Sequence, residues 1–172
     1  MASLDHQKTA LVLVDLQVRI AARPLFPRAG AEVVATAKRL ARGFRAAGAA
    51  VVLVQAHRPG VDEQPLDSEL EAGLWEHGDL VFTKHTVGGF HDGALHALLQ
   101  EYGIGTLVFG GIATNLGVES TARAASDHGY GLLFVEDAMA ALSAPEHEAA
   151  VTLDLPRFGE VVTADEALAR LA

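Results

Sequence analysis

Short, almost wholly apolar runs alternate along this sequence with segments whose apolar residues recur every three or four positions. The runs have the length of strands buried on both faces of a sheet, and the amphipathic segments have the period of helices. This alternation predicts a doubly wound α/β/α sandwich around a mostly parallel sheet of five to six strands. The predicted strands are Thr9–Asp15, Ala50–Gln55, Leu80–Thr83, Thr106–Phe109, Gly131–Val135 and Glu160–Thr163.

Capping residues and glycines indicate where the helices begin and end. Gly48, Gly103 and Gly129 suit the left-handed ends of helices, while Ser143 and Glu146 have the spacing of a capping box. The predicted helices are Arg28–Ala47, Asp92 to Gly103, Thr114 to Gly129, Ser143 to about Leu153, and Asp165–Leu171.

The polar segment His57–Gly78 separates the second and third predicted strands. It contains Pro59 and Pro65, so we predict a long loop with one helical stretch around Leu66–Trp75. No linker, repeat or second composition interrupts the 172 residues, which suffice to bury one full core. We therefore expect a single domain over residues 1–172.

Composition and charge narrow the class of protein. Half of the residues are apolar, and the net charge of −9 comes without any cluster of Lys or Arg, which argues against nucleic acids and anionic membranes as partners. No apolar run is long enough to span a membrane, and Met1–Lys8 lacks the pattern of a signal peptide. We expect a soluble cytoplasmic protein.

Polar residues follow directly after four of the predicted strands. Because the carboxyl ends of parallel strands meet at one edge of a sheet, where ligands bind, we expect these side chains to converge. The residues are Asp15, Gln17, His57, Lys84, His85 and the segment Gly110–Gly117.

The most informative of these residues is Asp15, a carboxyl group placed immediately after the run LVLV. Burial at this place raises the pKa of a carboxyl group, and an ammonium group such as that of Lys84 lowers it. An acid that is tuned by its environment and held by a fixed partner suits proton transfer. A structural ion pair at the sheet edge explains the same spacing, so the pattern leaves both interpretations open.

The segment Gly105–Asp127 combines a strand, a turn at Gly110-Gly111 and a helix that begins near Thr114 and Asn115, both common capping residues. The free N–H groups at such a helix start can hold an anionic or polarised oxygen. An ordinary strand-to-helix turn also fits this pattern.

Four stretches of the sequence resemble the isochorismatase-like hydrolase superfamily, which includes nicotinamidases and other cysteine hydrolases. These stretches are LVLVDLQ, FTKHTVGGF, GGIATNLGVESTARAASDHGY and VEDAMAA, and the resemblance extends from Thr9 to about Val162. It implies the doubly wound fold predicted above, a small-molecule substrate and a homo-oligomer, commonly a dimer or a tetramer.

The resemblance also implies roles for individual residues. In most of the superfamily Asp, Lys and Cys form a catalytic triad, and their positions correspond to Asp15, Lys84 and Gly117. Because this sequence contains no cysteine, amide hydrolysis through a thioester is excluded. Isochorismatases proper also carry glycine at the third position and hydrolyse an enolpyruvyl vinyl ether without a nucleophilic side chain. We therefore expect a hydrolase of a small organic acid, in which Asp15 is the general acid, Lys84 orients it and Gly117 leaves room for the substrate.

The same resemblance gives expectations for the substrate pocket and for metal binding. It implies a cis peptide bond between Ile112 and Ala113. Nicotinamidases bind a metal through an Asp-x-His group after the second strand, where this chain has Gln55-Ala56-His57. We expect neither a metal nor a cofactor. The expected substrate-binding residues are Gln17, His57, Ile112, Ala113 and Asn115.

Two other classes of protein stay open as interpretations. A non-catalytic binding or assembly protein would keep the scaffold after losing the nucleophile, although a buried Asp15–Lys84 pair without a task is a poor stabiliser. A nucleotide-binding protein would carry a GxGxxG or GxxxxGK loop after its first strand, and this sequence has neither. We rank the hydrolase first.

Overall fold

The computed structural model describes residues 3–171, in which a six-stranded, wholly parallel sheet lies between two layers of helices. The strand order is β3-β2-β1-β4-β5-β6, so the chain builds the sheet outward from β1 in one direction and then from β4 in the other. The predicted doubly wound α/β/α sandwich is confirmed. The strands are β1 (Thr9–Val14), β2 (Ala50–Ala56), β3 (Leu80–Lys84), β4 (Thr106–Ile112), β5 (Gly131–Ala140) and β6 (Glu160–Val162).

Six α-helices of the described residues cover the two faces of this sheet. A π-helical turn, Thr114–Val118, leads into α4, and the segment from Ala150 to Arg157 continues α5 as a π-helical and then a 3-10 turn. Within residues 3–171, no helix has both the length and the apolar character needed to cross a membrane. The helices are α1 (Val18–Ala21), α2 (Gly30–Ala46), α3 (Ala94–Glu101), α4 (Glu119–Asp127), α5 (Ala144–Ala149) and α6 (Ala164–Ala169).

Alternate side chains of the central strand β1 enter two separate cores. Leu11 and Leu13 pack on the face covered by α2 and α6, whereas Ala10, Val12 and Val14 pack on the face covered by α3 and α4. Every residue of β1 is buried, which explains why its sequence is a continuous apolar run. The sheet therefore holds the carboxyl end of β1 rigidly at the centre of the fold.

The strands β4 and β5 are longer than the sequence predicts. We expected β4 to stop at Phe109, but it continues through the glycine pair to Ile112 with a register shift against β5. A Cβ atom at Gly111 would lie 2.1 Å from the Val14 carbonyl oxygen, and its φ of 132° is one that glycine tolerates. These glycines thus permit close packing against β1 instead of ending the strand.

The prediction and the structure differ at two helical features, one predicted but absent and one present but not predicted. The stretch Leu66–Trp75 is not helical, because Asp67 and Gly73 have left-handed φ angles and Leu70 forms an antiparallel bridge with Gln17. Conversely, the short helix α1 is not predicted, because four residues are too few to show a helical period.

Two predicted helix caps are also wrong. Neither Thr114 nor Asn115 caps the helix that follows, and the hydroxyl of Thr114 lies 2.8 Å from Nδ1 of His147. Glycine ends at Gly48, Gly103 and Gly129 are present with φ angles of 76°, 65° and 84°. The Ser143–Glu146 capping interaction is present as well, so most of the helix-end signals were interpreted correctly.

Candidate active site

The carboxyl ends of the four strands β1 to β4 meet around one cavity of about 380 Å³. It lies where the strand order changes direction between β1 and β4, which is the usual place for a ligand in an open parallel sheet. The structure brings the residues predicted from sequence together here, with the exception of Asn115. The predicted residues that line the cavity are Asp15, Gln17, His57, Lys84, His85, Ile112, Ala113 and Gly117.

Asp15 and Lys84 form an ion pair in this cavity. Nζ of Lys84 lies 2.9 Å from Oδ2 of Asp15, and the two side chains are only 4% and 10% exposed, respectively. The ammonium group also donates hydrogen bonds to the carbonyl oxygens of Thr86 and Val87, at 3.1 and 2.9 Å. All three ammonium protons therefore have acceptors, and Lys84 is held in a fixed position.

The carboxyl group of Asp15 is less completely satisfied than its partner. Its Oδ1 atom is buried and has no hydrogen-bond partner among residues 3–171. Burial raises the pKa of Asp15 from 3.8 to about 6, and the charge and hydrogen bond of Lys84 limit that rise. Asp15 can therefore hold a proton in mildly acidic to neutral solution and still have an oxygen free to deliver it.

Local backbone conformation turns Asp15 out of the strand. Its φ of 54° is left-handed, a conformation that Asp adopts more readily than most residues, and its N–H donates to the Val54 carbonyl oxygen at 2.8 Å. β1 ends at this residue, so the side chain leaves the alternating pattern of the two cores.

The turn after β4 brings Gly117 against the same carboxyl group. The Ile112–Ala113 peptide bond is cis, as the family resemblance implied. A Cβ atom at Gly117 would lie 2.8 Å from Oδ2 of Asp15 and 3.2 Å from Cγ1 of Val14. Contacts this short would force Asp15 to move, so glycine is the residue that allows the Asp15–Lys84 pair its present geometry.

Gln17 lines the cavity, but its amide group is engaged with the backbone. Oε1 accepts the N–H of Ala56 at 2.8 Å, and Nε2 donates to the carbonyl oxygens of Ala56 and Ser68. The side chain is fully buried, so these bonds tie the end of β1 to the end of β2 and to the loop that follows. In this conformation both amide protons are taken, which favours a positioning role over the substrate-binding role expected from sequence.

The remaining predicted residues differ in how they meet the cavity. The backbone N–H of His57 donates to the Lys84 carbonyl oxygen, and its half-buried side chain lines the cavity. Nδ1 of His85 lies 3.1 Å from the His57 carbonyl oxygen. Asn115 does not line the cavity, and its buried Oδ1 atom has no hydrogen-bond partner in the described part of the chain.

Three arginines that line the cavity were not identified from the sequence as site residues. Arg19 lies on α1, Arg23 follows that helix, and Arg58 follows β2. Within residues 3–171, none of the three forms an ion pair with a carboxylate. The four-residue spacing of Arg19 and Arg23 directly after the Asp15 segment was the one available signal. In a chain with a net charge of −9, this cavity is a local concentration of positive charge.

The described residues contain no group of three or more His, Cys, Asp or Glu side chains placed to hold a metal ion. The donors that line the cavity are mainly cationic or already hydrogen-bonded, and they suit an anionic organic molecule better than a divalent cation.

Comparison with known proteins identifies the family to which this chain belongs. The family model described as the isochorismatase domain matches residues 9–166. The chain belongs to the isochorismatase family. It is 36% identical to the uncharacterised isochorismatase family protein YecD of Escherichia coli O157:H7, and the alignment covers 98% of each chain. It is 40% identical to the uncharacterised family protein YwoC of Bacillus subtilis, over 96% of this chain and 95% of that one.

A solved structure and a more distant relative extend the comparison. An isochorismatase family protein from Burkholderia thailandensis has 34% sequence identity and a TM-score of 0.86, with 99% of each chain covered. The ureidoacrylate amidohydrolase RutB of Serratia proteamaculans is 32% identical over 68% of this chain and 63% of its own length. The chain is thus an isochorismatase-family hydrolase, and its family includes amidohydrolases.

Proposed function

We propose that this protein hydrolyses a vinyl ether of a small organic acid by proton donation from Asp15, without a covalent enzyme intermediate. The observation that carries the proposal is the buried Asp15 carboxyl group, which has a raised pKa, a free oxygen and a glycine, Gly117, close against it. The family resemblance implies that Gly117 takes the position of the nucleophilic cysteine. The complete absence of cysteine removes the thioester route.

Proton transfer to carbon is the demanding step of this reaction. Asp15 gives its proton to the terminal methylene carbon of the enol ether, and water adds to the resulting oxocarbenium ion. With a pKa of about 6, about a tenth of Asp15 is protonated at pH 7, which is enough for a general acid that turns over repeatedly. The carboxylate that forms is stabilised by the ammonium group of Lys84, 2.9 Å away.

The charge of the cavity supports an anionic substrate. Arg19, Arg23 and Arg58 line it without carboxylate partners among residues 3–171, and a guanidinium group binds a carboxylate through two parallel hydrogen bonds. A volume of about 380 Å³ accommodates a small organic acid. Ile112, Ala113 and the space beside Gly117 supply a less polar wall for the remainder of such a molecule.

The test is pyruvate release from isochorismate, followed by coupling to lactate dehydrogenase. We expect turnover by the wild type and a loss of at least about 100-fold in kcat for Asp15→Asn, the usual size of a general-acid contribution. Asp127→Asn, an exposed carboxylate at the end of α4, is the matched control and should keep wild-type activity. Circular dichroism should show the same fold in all three proteins.

Two results would count against the proposal. If the wild type releases no pyruvate from isochorismate or from simpler enol ethers, the non-catalytic interpretation gains support. If Asp15→Asn retains full activity, another group is the acid. Ureidoacrylate and maleamate, the substrates named for amidohydrolase relatives, should not be hydrolysed because the chain has no thiol.

A further inference from the structure

The segment after β3 places a histidine between two cavities. His85 follows Lys84 directly and lines the main cavity described above. It also lines a second cavity of about 70 Å³, in which His91 and Asp92 take part but Asp15 does not. Lys84, His85 and Thr86 therefore line both the cavity that contains the acid and this smaller space.

The backbone determines which nitrogen of His85 carries a proton. Nδ1 lies 3.1 Å from the His57 carbonyl oxygen, and a carbonyl oxygen only accepts hydrogen bonds. In the neutral imidazole, Nδ1 therefore carries the hydrogen and Nε2 has a free lone pair. The same hydrogen bond fixes the ring orientation, as the partner of a catalytic histidine commonly does.

The addition of water to the oxocarbenium ion is faster when a group accepts a proton from the water, and apart from the Asp15 carboxylate most groups in the cavity cannot do so. Arginines stay protonated, and the three protons of Lys84 are held by Asp15, Thr86 and Val87. The amide of Gln17 is engaged with backbone groups. The ring of His57 has no hydrogen-bond partner within residues 3–171, so nothing in the described structure sets its tautomer.

We infer that His85 is a second catalytic group, which accepts the proton of the water molecule at Nε2. This inference depends on the proposed function. Asp15 gives its proton to the methylene carbon, whose π electrons form the new C–H bond. The water oxygen then bonds to the oxocarbenium carbon and transfers one proton to His85.

The proton balance closes when the hemiketal intermediate collapses. The bond between its carbon and the alcohol oxygen breaks, and that oxygen takes the proton held by His85. The hydroxyl proton of the hemiketal returns to Asp15 as the ketone forms. One water molecule is consumed, and both Asp15 and His85 end in their starting states.

The experiment compares His85→Ala and His85→Gln with His91→Ala, using pyruvate release from isochorismate. His91 lines the small cavity but not the main one, so it is the matched control and should keep wild-type kcat. We expect kcat to fall about 100-fold in both His85 variants, with KM changed much less. Imidazole added to the buffer should restore part of the activity of His85→Ala. The variant His85→Gln should stay slow, because the amide side chain can orient water but cannot accept its proton.

The outcomes separate this inference from the proposed function. If His85→Ala keeps more than half of the wild-type kcat while Asp15→Asn is inactive, the acid role is supported and the base role of His85 is wrong. If His85→Gln is as active as the wild type, His85 only orients water and the inference is again wrong. A wild type without activity on any enol ether overturns both.

Discussion

Two ion pairs in this protein, one half-buried and one buried, differ in how completely their carboxylate oxygens are hydrogen-bonded. Arg45 on α2 binds Asp79 through two contacts, Nε to Oδ1 at 3.0 Å and Nη2 to Oδ2 at 2.6 Å. Oδ2 of Asp79 also accepts the N–H of Glu76 at 2.8 Å. Asp15, by contrast, meets Lys84 through Oδ2 alone and leaves Oδ1 without a partner in the described chain.

The difference separates a pair of charges that serves structure from one that we propose serves chemistry. Every oxygen of Asp79 is occupied, and its side chain is 4% exposed, so the pair fastens α2 to the segment before β3. The Asp15 pair has a carboxyl group whose pKa is raised to about 6, because burial outweighs the attraction of Lys84. A partly unsatisfied pair at a cavity is thus expected to release and recover a proton, whereas a saturated one is not.

The largest expected difference between the two pairs is in stability. Asp79→Asn should lower the free energy of unfolding by about 2.5 kcal/mol, below the range for a fully buried pair, because half-buried Arg45 loses a carboxylate but keeps Glu76. Asp15→Asn should lower it by less than half as much at pH 7.5, since burial already disfavours the charged Asp15 carboxylate. Urea unfolding measures both, and an equal loss in the two variants would contradict the comparison.

The next effect concerns the space beside Asp15. Gly117→Ala should lower the free energy of unfolding by about 2 kcal/mol, because the added Cβ atom would lie 2.8 Å from Oδ2 and force the pair apart. Pyruvate release should fall in parallel. Gly105→Ala is the control, since no atom lies within 4 Å of a Cβ placed there. Wild-type activity in Gly117→Ala would show that Asp15 tolerates displacement.

The third prediction is a pH dependence. The acid must be protonated, and its raised pKa means that it loses its proton above about pH 6, so kcat/KM should fall about tenfold per pH unit above that value. Because Lys84 lowers the pKa of Asp15, Lys84→Met should move the pH at which kcat/KM begins to fall to a higher value, even if the residual activity is low. A pH–rate profile between pH 5 and 8.5 measures this pH, and activity that rises through this range would contradict the acid role.

The smallest expected effect is on substrate affinity. Arg58→Gln should raise KM about fivefold, on the order of 1 kcal/mol, because an exposed guanidinium contributes modestly to carboxylate binding. Its kcat should change little. Arg42→Gln, an exposed arginine of α2 outside the cavity, should leave both constants unchanged. A KM for a neutral enol ether that is equal to or smaller than the KM for an anionic one would indicate that the arginines do not select charge.

Much of the fold could be predicted from the sequence because each buried strand is a distinct apolar run. The pattern failed where backbone geometry overrode it. The glycine pair Gly110-Gly111 predicts a strand end, but β4 continues through it and Gly111 packs closely against Val14. Likewise, Leu66–Trp75 was predicted to be helical, yet left-handed residues and a bridge to Gln17 keep it in turns and irregular backbone. Such features depend on contacts between distant segments, which no local pattern contains.

The candidate site was predictable to the extent that strand ends converge. Asp15 and Lys84 lie after two different strands, and the order of a parallel sheet brings them together. The role of Gln17 could not be inferred, because its partners Ala56 and Ser68 are backbone groups far along the chain. Arg19 and Arg23 were missed because the four-residue α1 carries no period and arginine at a surface is usually solvated.

The tight approach of Gly117 to Asp15 also limits how this protein can be related by descent to the cysteine hydrolases. A single Gly117→Cys change would add a thiol, but its Cβ atom would lie only 2.8 Å from Oδ2 of Asp15 as that side chain now stands. If the proposed acid catalysis holds, a first mutational step toward thiol catalysis would therefore disturb the Asp15–Lys84 pair before the new geometry existed. Passage between the two activities is then expected to involve joint changes in the segment that carries Asp15 and the turn that carries Gly117.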